Sequence, residues 1–233
     1  MGSVESKDQL VNTIGESRQD LKKFVEVFSP IAVKDSHGLS LRVKEWSLLD
    51  YNAGGKVSLA ECWGWIENKL LECKSIQHKD EALHIYKKFR PSYIVAFNDA
   101  KDIGKPGTDE DYITKREFRV LVAYFCIYAA VEDCFSLIDG GGNEHAERPE
   151  DRRISMEEWL KAYPILLEQT DFEFAMLEHW RDEDSNKKDP EEIFQDMDSD
   201  NAGMVLLNEF CDFFKTNEIE AKTPIGDLLN IGE

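Results

Sequence analysis

The chain has 233 residues, of which 42% are hydrophobic and 32% are charged, so it can bury one large core or two small ones. Its 28 basic and 47 acidic side chains leave a formal charge of −19, which repels nucleic acid and anionic membrane and attracts cations. The composition therefore argues against a nucleic-acid-binding protein and is compatible with a cation-binding one.

The cysteines and the apolar runs further limit the class of protein that the sequence predicts. The cysteines at 62, 73, 126, 134 and 211 form no CxxC pair, and the amino terminus has no apolar signal core. These features predict a reducing compartment and no disulfide framework.

The longest apolar-rich run, 118–131, is shorter than the ~20 residues of a membrane span, so we predict a buried helix. No nucleophile–base pair or phosphate-binding loop indicates an enzyme.

One pattern recurs along the chain. An aromatic residue, an aliphatic residue three positions later and then Asp occur at 46–50, 135–139 and 194–198. Each is followed by a small-residue loop, a β-branched residue and a Glu that opens another helix, and residues 113–118 end a further unit in the same way. We predict an all-α protein with four EF-hands in two paired lobes, a calmodulin-like arrangement.

The first loop, 50–61, matches the twelve-residue Ca²⁺ loop closely. Such a loop supplies oxygens from positions 1, 3, 5, 7, 9 and 12, turns at a Gly at position 6, and closes with a bidentate Glu. Gly54 at position 5 offers no side chain, so a water must substitute there, and Gly55 makes the turn. The predicted ligands are Asp50, Asn52, the carbonyl of Lys56, Ser58 and Glu61.

The second unit has no register that gives a complete site. Counting from Asp99 places Lys101 at position 3 and Pro106 at position 8, and counting back from Glu117 places Pro106 at position 1. We expect no Ca²⁺ there.

The third loop begins with Asp139 and resumes at Ile154, which are fifteen residues apart where seven are needed. The eight extra residues lie within 144–153, which carries three arginines that would oppose a cation. We expect no standard Ca²⁺ binding in this unit either.

The fourth loop fits the twelve-residue pattern only when Asp198 is taken as position 1. Counting from Asp196 would place Glu209 at position 14 instead of position 12. Ala202 at position 5 and Leu206 at position 9 supply no side-chain ligand. The predicted ligands are Asp198, Asp200, the carbonyl of Met204 and Glu209.

Helix starts and pairing complete the predicted architecture. Capping boxes at 114–117 and 155–158, and Asp189 followed by Pro190, each predict a helix start. Short β-bridges should join paired loops, with Val57 opposite Ile113 and Ile154 opposite Val205. The expected organisation is an amino-terminal extension (1–38), an N-lobe (39–118), a C-lobe (119–217) and a tail (218–233).

Two further features bear on partners. Gly2 fits the pattern M-G-x-x-x-[ST] for myristoylation, without a second membrane signal nearby, so we expect membrane contact only if Gly2 is acylated. Most of the prominent aromatic residues should be core, and some could line a groove for a target protein. These aromatic residues are Trp63, Trp65, Phe125, Trp159, Trp180, Phe213 and Phe214.

Over residues 85–215 the chain resembles the calflagins, a family of flagellar calcium-binding proteins. The resemblance is carried by AFNDAKDIG (96–104), by residues 116–139 and by FQDMDSDNAGMVLLNEF (194–210). It implies four hands, a long irregular second unit, a cilium or flagellum as the location, and a working fourth loop. The loop-four ligands Asp198, Asp200 and Glu209 match position by position, whereas Ala202 departs from the family's hydroxyl residue.

Other departures from this family affect the expected function. Calflagins bind Ca²⁺ through a third loop, which carries an insertion here, and they anchor to membrane through an acylated Gly with a Cys and a basic stretch. This chain keeps Gly2 without that Cys. We therefore expect Ca²⁺ as the cofactor, and either a ciliary Ca²⁺ sensor or adaptor with protein partners, or a structural protein of the axoneme that docks on tubulin or its neighbours.

Overall fold

The computed structural model describes residues 4–101, 103, 111–139, 152–168, 172–181 and 189–230, with side chains from residue 18 onward. Within these ranges the protein is mostly helical, as predicted, and its strands form two short sheets. The helices are α1 (Val4–Ala32), α2 (Ser36–Leu49), α3 (Leu59–Leu71), α4 (Lys79–Lys88), α5 (Arg90–Lys101), α6 (Phe118–Asp139), α7 (Met156–Glu168), α8 (Ala175–Arg181), α9 (Pro190–Met197), α10 (Leu207–Glu220) and α11 (Pro224–Leu229). The strands are β1 (Lys56–Val57), β2 (Ile113–Thr114), β3 (Arg153–Ser155) and β4 (Met204–Leu206).

Side-chain caps fix where several helices begin. The Asp189 carboxylate accepts a hydrogen bond from the Glu191 N–H at 3.0 Å, and Pro190 is the first residue of α9. At the start of α7, Ser155 Oγ accepts from the Glu158 N–H at 3.3 Å. Such caps satisfy amide groups that a helix leaves unpaired at its first turn. These two of the three predicted helix starts are confirmed, whereas α6 begins at Phe118, after a turn at residues 115–117 that follows the predicted cap at Thr114.

Each sheet joins two of the predicted loops. β1 pairs with β2 in antiparallel register, with Val57 opposite Ile113. β3 pairs with β4 in the same way, with Ile154 opposite Val205. Both predicted bridges are confirmed residue by residue.

The internal contacts divide the chain into two compact units. What we call the amino-terminal unit is built from Gln19–Ala130 and contains β1 and β2, and the carboxyl-terminal unit is built from Val131–Asn230 with the chain up to Arg18 and contains β3 and β4. The break at residue 130 lies within α6, which contributes residues to both units.

Aromatic side chains fill the core of the amino-terminal unit. Phe28 of α1 meets Trp65 of α3 with ring centroids 5.5 Å apart, and Trp65 meets Phe118 of α6 at 5.5 Å. Both contacts are edge-on, a geometry worth roughly 0.5–1.5 kcal/mol beyond the burial of apolar area. The carboxyl half of α1 is therefore part of this core.

The carboxyl-terminal unit has a second aromatic core. Phe135 of α6 packs against Phe210 of α10 at 5.7 Å, and Trp159 of α7 packs against Trp180 of α8 at 5.5 Å. All four side chains are buried. Among the seven aromatic residues predicted to be mostly core, all are buried except Trp63 and Phe213, which are partly exposed.

Four helices have no counterpart in the sequence prediction, namely α1 in the predicted extension, α4 between α3 and α5, α8 between α7 and α9, and α11 in the predicted tail. Polar contacts bind α8 to its neighbours. The Ala175 N–H donates to the buried Glu218 carboxylate at 2.7 Å, and the Arg181 guanidinium donates to the carbonyls of Leu166 at 3.1 Å and Leu167 at 3.3 Å. A side chain therefore donates hydrogen bonds to the last carbonyls of α7.

Helix α6 is long and apolar enough to cross a membrane, and it is the one described helix that meets this test. In its most apolar window, however, 72% of the residues are buried inside the structure. Burial of this extent is typical of a core helix, as predicted for residues 118–131.

Candidate metal centres

Three carboxylates converge in the loop between α9 and α10. Asp198, Asp200 and Glu209 each offer one carboxylate oxygen, and these oxygens lie within 4.8 Å of one another. Asp198 and Glu209 are buried, whereas Asp200 is exposed. Three like charges so close together repel each other unless a cation lies among them, and hard oxygen ligands are those that Ca²⁺ prefers.

Backbone amides of the same loop hold two of these carboxylates inward. Asp198 accepts from the Gly203 N–H at 2.9 Å through one oxygen and from the Ala202 N–H at 3.0 Å through the other. Asp200 accepts from the Ala202 N–H at 2.9 Å. The amide dipoles offset part of the repulsion, so the acidic side chains can stay oriented toward one centre.

Glu209 closes the loop from the first turn of α10. Its Oε2 accepts from the Leu206 N–H at 2.9 Å, and its Oε1 accepts from Ser199 Oγ at 2.9 Å and from the Asp200 N–H at 3.3 Å. Partial burial opposes ionisation of Glu209, but the hydrogen bonds from Leu206 and Ser199 outweigh it and hold the pKa of this carboxyl below its ordinary value. Glu209 is thus kept in the charged form that a metal ligand requires.

The loop between α2 and α3 repeats two of the hydrogen bonds from backbone amides. Asp50 accepts from the Gly55 N–H at 3.0 Å, as Asp198 accepts from its glycine five residues later. Asn52 Oδ1 accepts from the Gly54 N–H at 2.8 Å. A Cβ built on Gly54 would lie 2.8 Å from Asn52 Oδ1, which is the end of a side chain that can shift, and the fourth loop carries Ala202 at the equivalent position.

One oxygen of this loop has no protein partner. Asp50 Oδ1 is buried and accepts no hydrogen bond from the described residues. An unsatisfied carboxylate oxygen costs free energy in a folded protein, and buried charges are usually paired or bound to a metal. This oxygen lies on the side chain predicted to be the first ligand of the loop, so the residues present fit a cation.

Glu61 closes the first loop from α3. Its Oε2 accepts from the Ser58 N–H and from Ser58 Oγ, both at 2.8 Å, while Asn52 Nδ2 approaches Oε1 at 3.4 Å. Three predicted ligands, Asn52, Ser58 and Glu61, are therefore brought together. The Ser58 hydroxyl is directed at the Glu61 carboxylate.

The two carbonyl ligands predicted at position 7 belong to residues that begin strands. Lys56 begins β1 and lies opposite Thr114, and Met204 begins β4 and lies opposite Ser155. Both side chains are exposed, so neither ammonium nor thioether is buried in the loop.

Left-handed backbone at two positions in each loop makes the turn. Gly55 and Gly203 have φ of +75° and +81°, which agrees with the predicted glycine turn. Ala53 and Asn201, two residues earlier, also have positive φ of 54° and 57°, and the sequence analysis did not anticipate this. Asn201 is the available signal in the fourth loop, because Asn adopts the left-handed region more readily than most residues, whereas Ala53 gives no such signal.

The other two units keep the closing Glu without a comparable ligand set among their described residues. Glu117 accepts from the Thr114 N–H at 2.7 Å, and Glu158 accepts from the Ser155 N–H at 2.8 Å. Asp99, the tempting first ligand of the second unit, lies within α5 and accepts a hydrogen bond from the Tyr128 hydroxyl.

Some predicted features fall outside the described residues. These are Gly2, the residues 104–110 of the second unit and the residues 140–151 that contain most of the third-loop insertion. At the end of that insertion, Arg152 forms an ion pair with the buried Glu132 of α6. This arginine is directed at a carboxylate of a helix.

Comparison with known proteins gives one distant similarity. No family model matches the chain. A flagellar calcium-binding protein of Trypanosoma brucei brucei, TB-44A, is 25% identical over 191 residues, which make up 80% of this chain and 39% of that protein. The chain thus spans less than half the length of the relative it matches. That relative's name agrees with the chemistry of the two loops.

Proposed function

We propose that this chain is an EF-hand protein with four hands, in which loops 50–61 and 198–209 bind Ca²⁺ and the other two hands act as structural partners. The observation that carries this proposal is the convergence of the Asp198, Asp200 and Glu209 carboxylates to within 4.8 Å. The first loop supports it independently, because it repeats the hydrogen bond from the glycine at position 6 to the Asp at position 1.

The two loops differ in the number of their charged ligands, so their affinities for Ca²⁺ should differ. The fourth loop offers three carboxylates, whereas the first loop offers Asp50 and Glu61 with the neutral amide of Asn52. A loop with more charged ligands binds Ca²⁺ more tightly, and both lack a side-chain ligand at position 5. We expect dissociation constants on the order of 10⁻⁶–10⁻⁴ M, with the fourth loop the tighter of the two.

Binding should also change the fourth loop. A bidentate Glu at position 12 gives both carboxylate oxygens to the ion. Glu209 Oε1 now accepts from Ser199 Oγ and the Asp200 N–H, so these contacts must weaken when the metal is held. Because this rearrangement would occur only in the Ca²⁺-bound state, the free and bound forms of the loop would differ in structure. A Ca²⁺ sensor or Ca²⁺-responsive adaptor needs such a difference.

The location and partners that we propose follow from the relative's name and from charge. TB-44A is named as a flagellar protein, and we propose a cilium or flagellum for this chain. The net charge of −19 disfavours nucleic acid, so we propose protein partners and no catalytic activity.

A structural role in the axoneme is the second candidate. It is favoured by the third unit, where Glu158 serves as a helix cap and Arg152 pairs with Glu132, so the hand keeps its shape without metal. Extraction of cilia distinguishes the roles. A sensor should leave with detergent or chelator, whereas an axonemal component docked on tubulin should remain with the doublets.

Calorimetric titration of Ca²⁺ tests the proposal directly. We expect two sites in the unmodified chain and the loss of one site in Glu61→Gln and of the other in Glu209→Gln. Glu158→Gln is the matched control, because it alters the same loop position in a hand expected not to bind. Four equivalent sites, or an unchanged stoichiometry in both variants, would contradict the proposal.

A further inference from the structure

Charge is divided unevenly along the chain. Residues 19–130, from which the amino-terminal unit is built, carry 17 basic and 16 acidic side chains, whereas the rest of the chain carries 11 basic and 31 acidic ones. The net charge is thus +1 for the first set and −20 for the second. A unit that is nearly neutral can present a basic surface although the whole protein is strongly acidic.

Two arginines lie close together where α2 meets the start of α6. Trp46 of α2 packs on Phe118 of α6 with ring centroids 5.5 Å apart. Arg42 lies one turn before Trp46 on the same face of α2. Burial lowers the pKa of Arg42, and the positive charge of the neighbouring Arg119 on α6 lowers it further. This junction of two helices therefore concentrates positive charge.

Lys115 and Arg116 extend this basic cluster, because they lie four and three residues before Arg119. Both are exposed, and neither forms an ion pair with any residue that the structure describes. The acids close to them in sequence are engaged: Asp111 pairs with a lysine of α5 at 3.2 Å, and Glu117 accepts hydrogen bonds from the residue three positions before it. The cluster therefore presents positive charge that these acids do not neutralise.

Exposed apolar side chains border the basic cluster. Leu39 and Val43 lie on the same face of α2 as Arg42, and they are 57% and 49% exposed. Val33 is 48% exposed, and its carbonyl accepts a hydrogen bond from Arg42 at 2.6 Å. Asp35, an acid near Arg42, caps the first turn of α2. Apolar side chains that are grouped and half exposed beside positive charge are typical of a contact surface.

We infer that this surface binds an acidic segment of a protein partner. The surface consists of Leu39, Arg42, Val43, Lys115, Arg116 and Arg119. Carboxylates of the partner pair with the basic side chains, among which the planar guanidinium groups suit a carboxylate best, and apolar side chains of the partner cover Leu39 and Val43. None of the six residues is a predicted Ca²⁺ ligand, so the inference goes beyond the proposed Ca²⁺ function and does not depend on it.

The size of the partner favours an acidic peptide over nucleic acid or anionic membrane. Those polyanions extend over many Debye lengths, each about 8 Å at physiological salt, so they also meet the repulsion of the −20 carried by the rest of the chain. A short acidic segment meets only the charges beside it. The apolar side chains on α2 likewise match the apolar side chains of a peptide and not a phosphate backbone.

The docking test uses three synthetic peptides of equal length, one of Leu and Glu, one of Leu and Gln, and one of Ser and Glu. Calorimetry in the presence of a chelator measures their affinity for the full chain, which keeps the result separate from the Ca²⁺ titration. We expect the Leu/Glu peptide to bind roughly tenfold more tightly than either of the others, since one lacks charge and the other lacks apolar side chains. Because the net charge of −19 opposes any acidic peptide, non-specific attraction cannot produce this result. No binding of the Leu/Glu peptide, or equal affinity for all three, would overturn the inference.

Charge variants locate the interaction. Lys115→Gln with Arg116→Gln should weaken binding of the Leu/Glu peptide about fivefold, since exposed ion pairs contribute modestly. Lys74→Gln with Lys79→Gln is the matched control, because it removes two exposed positive charges of the same unit where α3 is joined to α4. An equal loss in both double variants would mean that only net charge matters and would refute the docking site.

Apolar variants test the other half of the surface. Leu39→Ala with Val43→Ala should weaken binding about tenfold, because two side chains lose the area that the peptide covers. Leu71→Ala with Ile94→Ala is the control, since these side chains of the same unit are also exposed, at 38% and 42%. Thermal unfolding checks that each variant is folded. If the control pair weakened the peptide as much as the α2 pair, the proposed surface would be wrong.

The other anionic partners are tested on the same variants. Vesicles of phosphatidylcholine and phosphatidylserine, and a short single-stranded DNA, should not bind the unmodified chain. Binding of either one that Lys115→Gln with Arg116→Gln abolishes would assign the surface to that partner and would overturn the inference of an acidic protein segment.

Discussion

Ile154 lies directly opposite Val205 in the ladder between β3 and β4, and both side chains are fully buried. Val57 and Ile113 form the equivalent buried pair between β1 and β2. In each case one residue belongs to a loop that we expect to bind Ca²⁺ and the other to a loop that we expect not to bind it. The unit that is expected not to bind metal therefore supports the backbone of the unit that is expected to bind it.

Truncating the non-binding side of each ladder should affect one loop at a time. Ile154→Ala is expected to weaken Ca²⁺ binding at the fourth loop, and Ile113→Ala at the first loop, because each cavity loosens the strand that carries the position-7 carbonyl. Each change should also lower the free energy of unfolding by roughly 2–5 kcal/mol. Calorimetry and denaturant titration measure the two effects, and equal weakening of both loops in either variant would contradict this account.

Glycine replacements separate loop geometry from packing. Gly203→Ala forces a side chain into φ of +81° with open space around it, so we expect a cost of about 1 kcal/mol and weaker Ca²⁺ binding. In Gly226→Ala, the new Cβ would lie 2.1 Å from the Glu218 carbonyl oxygen, which lies on a different helix. That variant should lose more stability while its Ca²⁺ stoichiometry stays the same. If Gly203→Ala lowered the thermal stability more than Gly226→Ala, the turn would contribute more to stability than the packing of α11 against α10.

The cap of α7 offers a test of the third unit. Ser155→Ala removes the hydroxyl that accepts from the Glu158 N–H and donates to its carboxylate, so stability should fall by about 1 kcal/mol. The number of Ca²⁺ sites should not change. Ser58→Ala is the counterpart in the first loop and should cost similar stability while also reducing affinity there. Loss of a Ca²⁺ site in Ser155→Ala would reveal a working third loop.

Thiol reactivity should report burial. Desolvation raises the pKa of the fully buried Cys62 to about 12, whereas Cys73 is only partly buried and lies beside the Ser75 hydroxyl. The thiolate is the reactive form, so at pH 8 almost all of the buried Cys62 thiol is in its unreactive protonated form. A thiol reagent should label Cys73 quickly in the folded chain and the buried thiols only slowly, with rates that rise as pH increases. Cys73→Ser should abolish the fast phase, and a fast phase that survives would disprove the assignment.

The loops and their pairing could be read from the sequence because their rules are local. Fixed spacing from Asp50 to Glu61 and from Asp198 to Glu209 sets the turn, and a β-branched residue at a fixed offset sets each bridge. Counting the fourth loop from Asp198 was necessary, and the structure brings that set of carboxylates together. No such spacing rule connects Trp180 to Trp159 or Arg181 to the end of α7.

The features that sequence analysis missed depend on contacts between distant segments. Helix α8 is only seven residues long and is held by tertiary contacts rather than by helix propensity. The hydrogen bond from the Gly54 N–H to Asn52 Oδ1 at 2.8 Å is another contact that the spacing of the first loop does not reveal. The unsatisfied Asp50 oxygen likewise emerges only from three-dimensional burial.

The closing Glu accepts the backbone N–H three residues before it in all four units, through Glu61, Glu117, Glu158 and Glu209. The start of the following helix is therefore capped by a hydrogen bond within the chain and does not depend on an ion. A hand of this design can accumulate substitutions at its remaining ligand positions, or accept an inserted stretch, and still fold. Substitution of a ligand residue in such a unit should therefore remove metal binding without removing the hydrogen bond that caps the following helix.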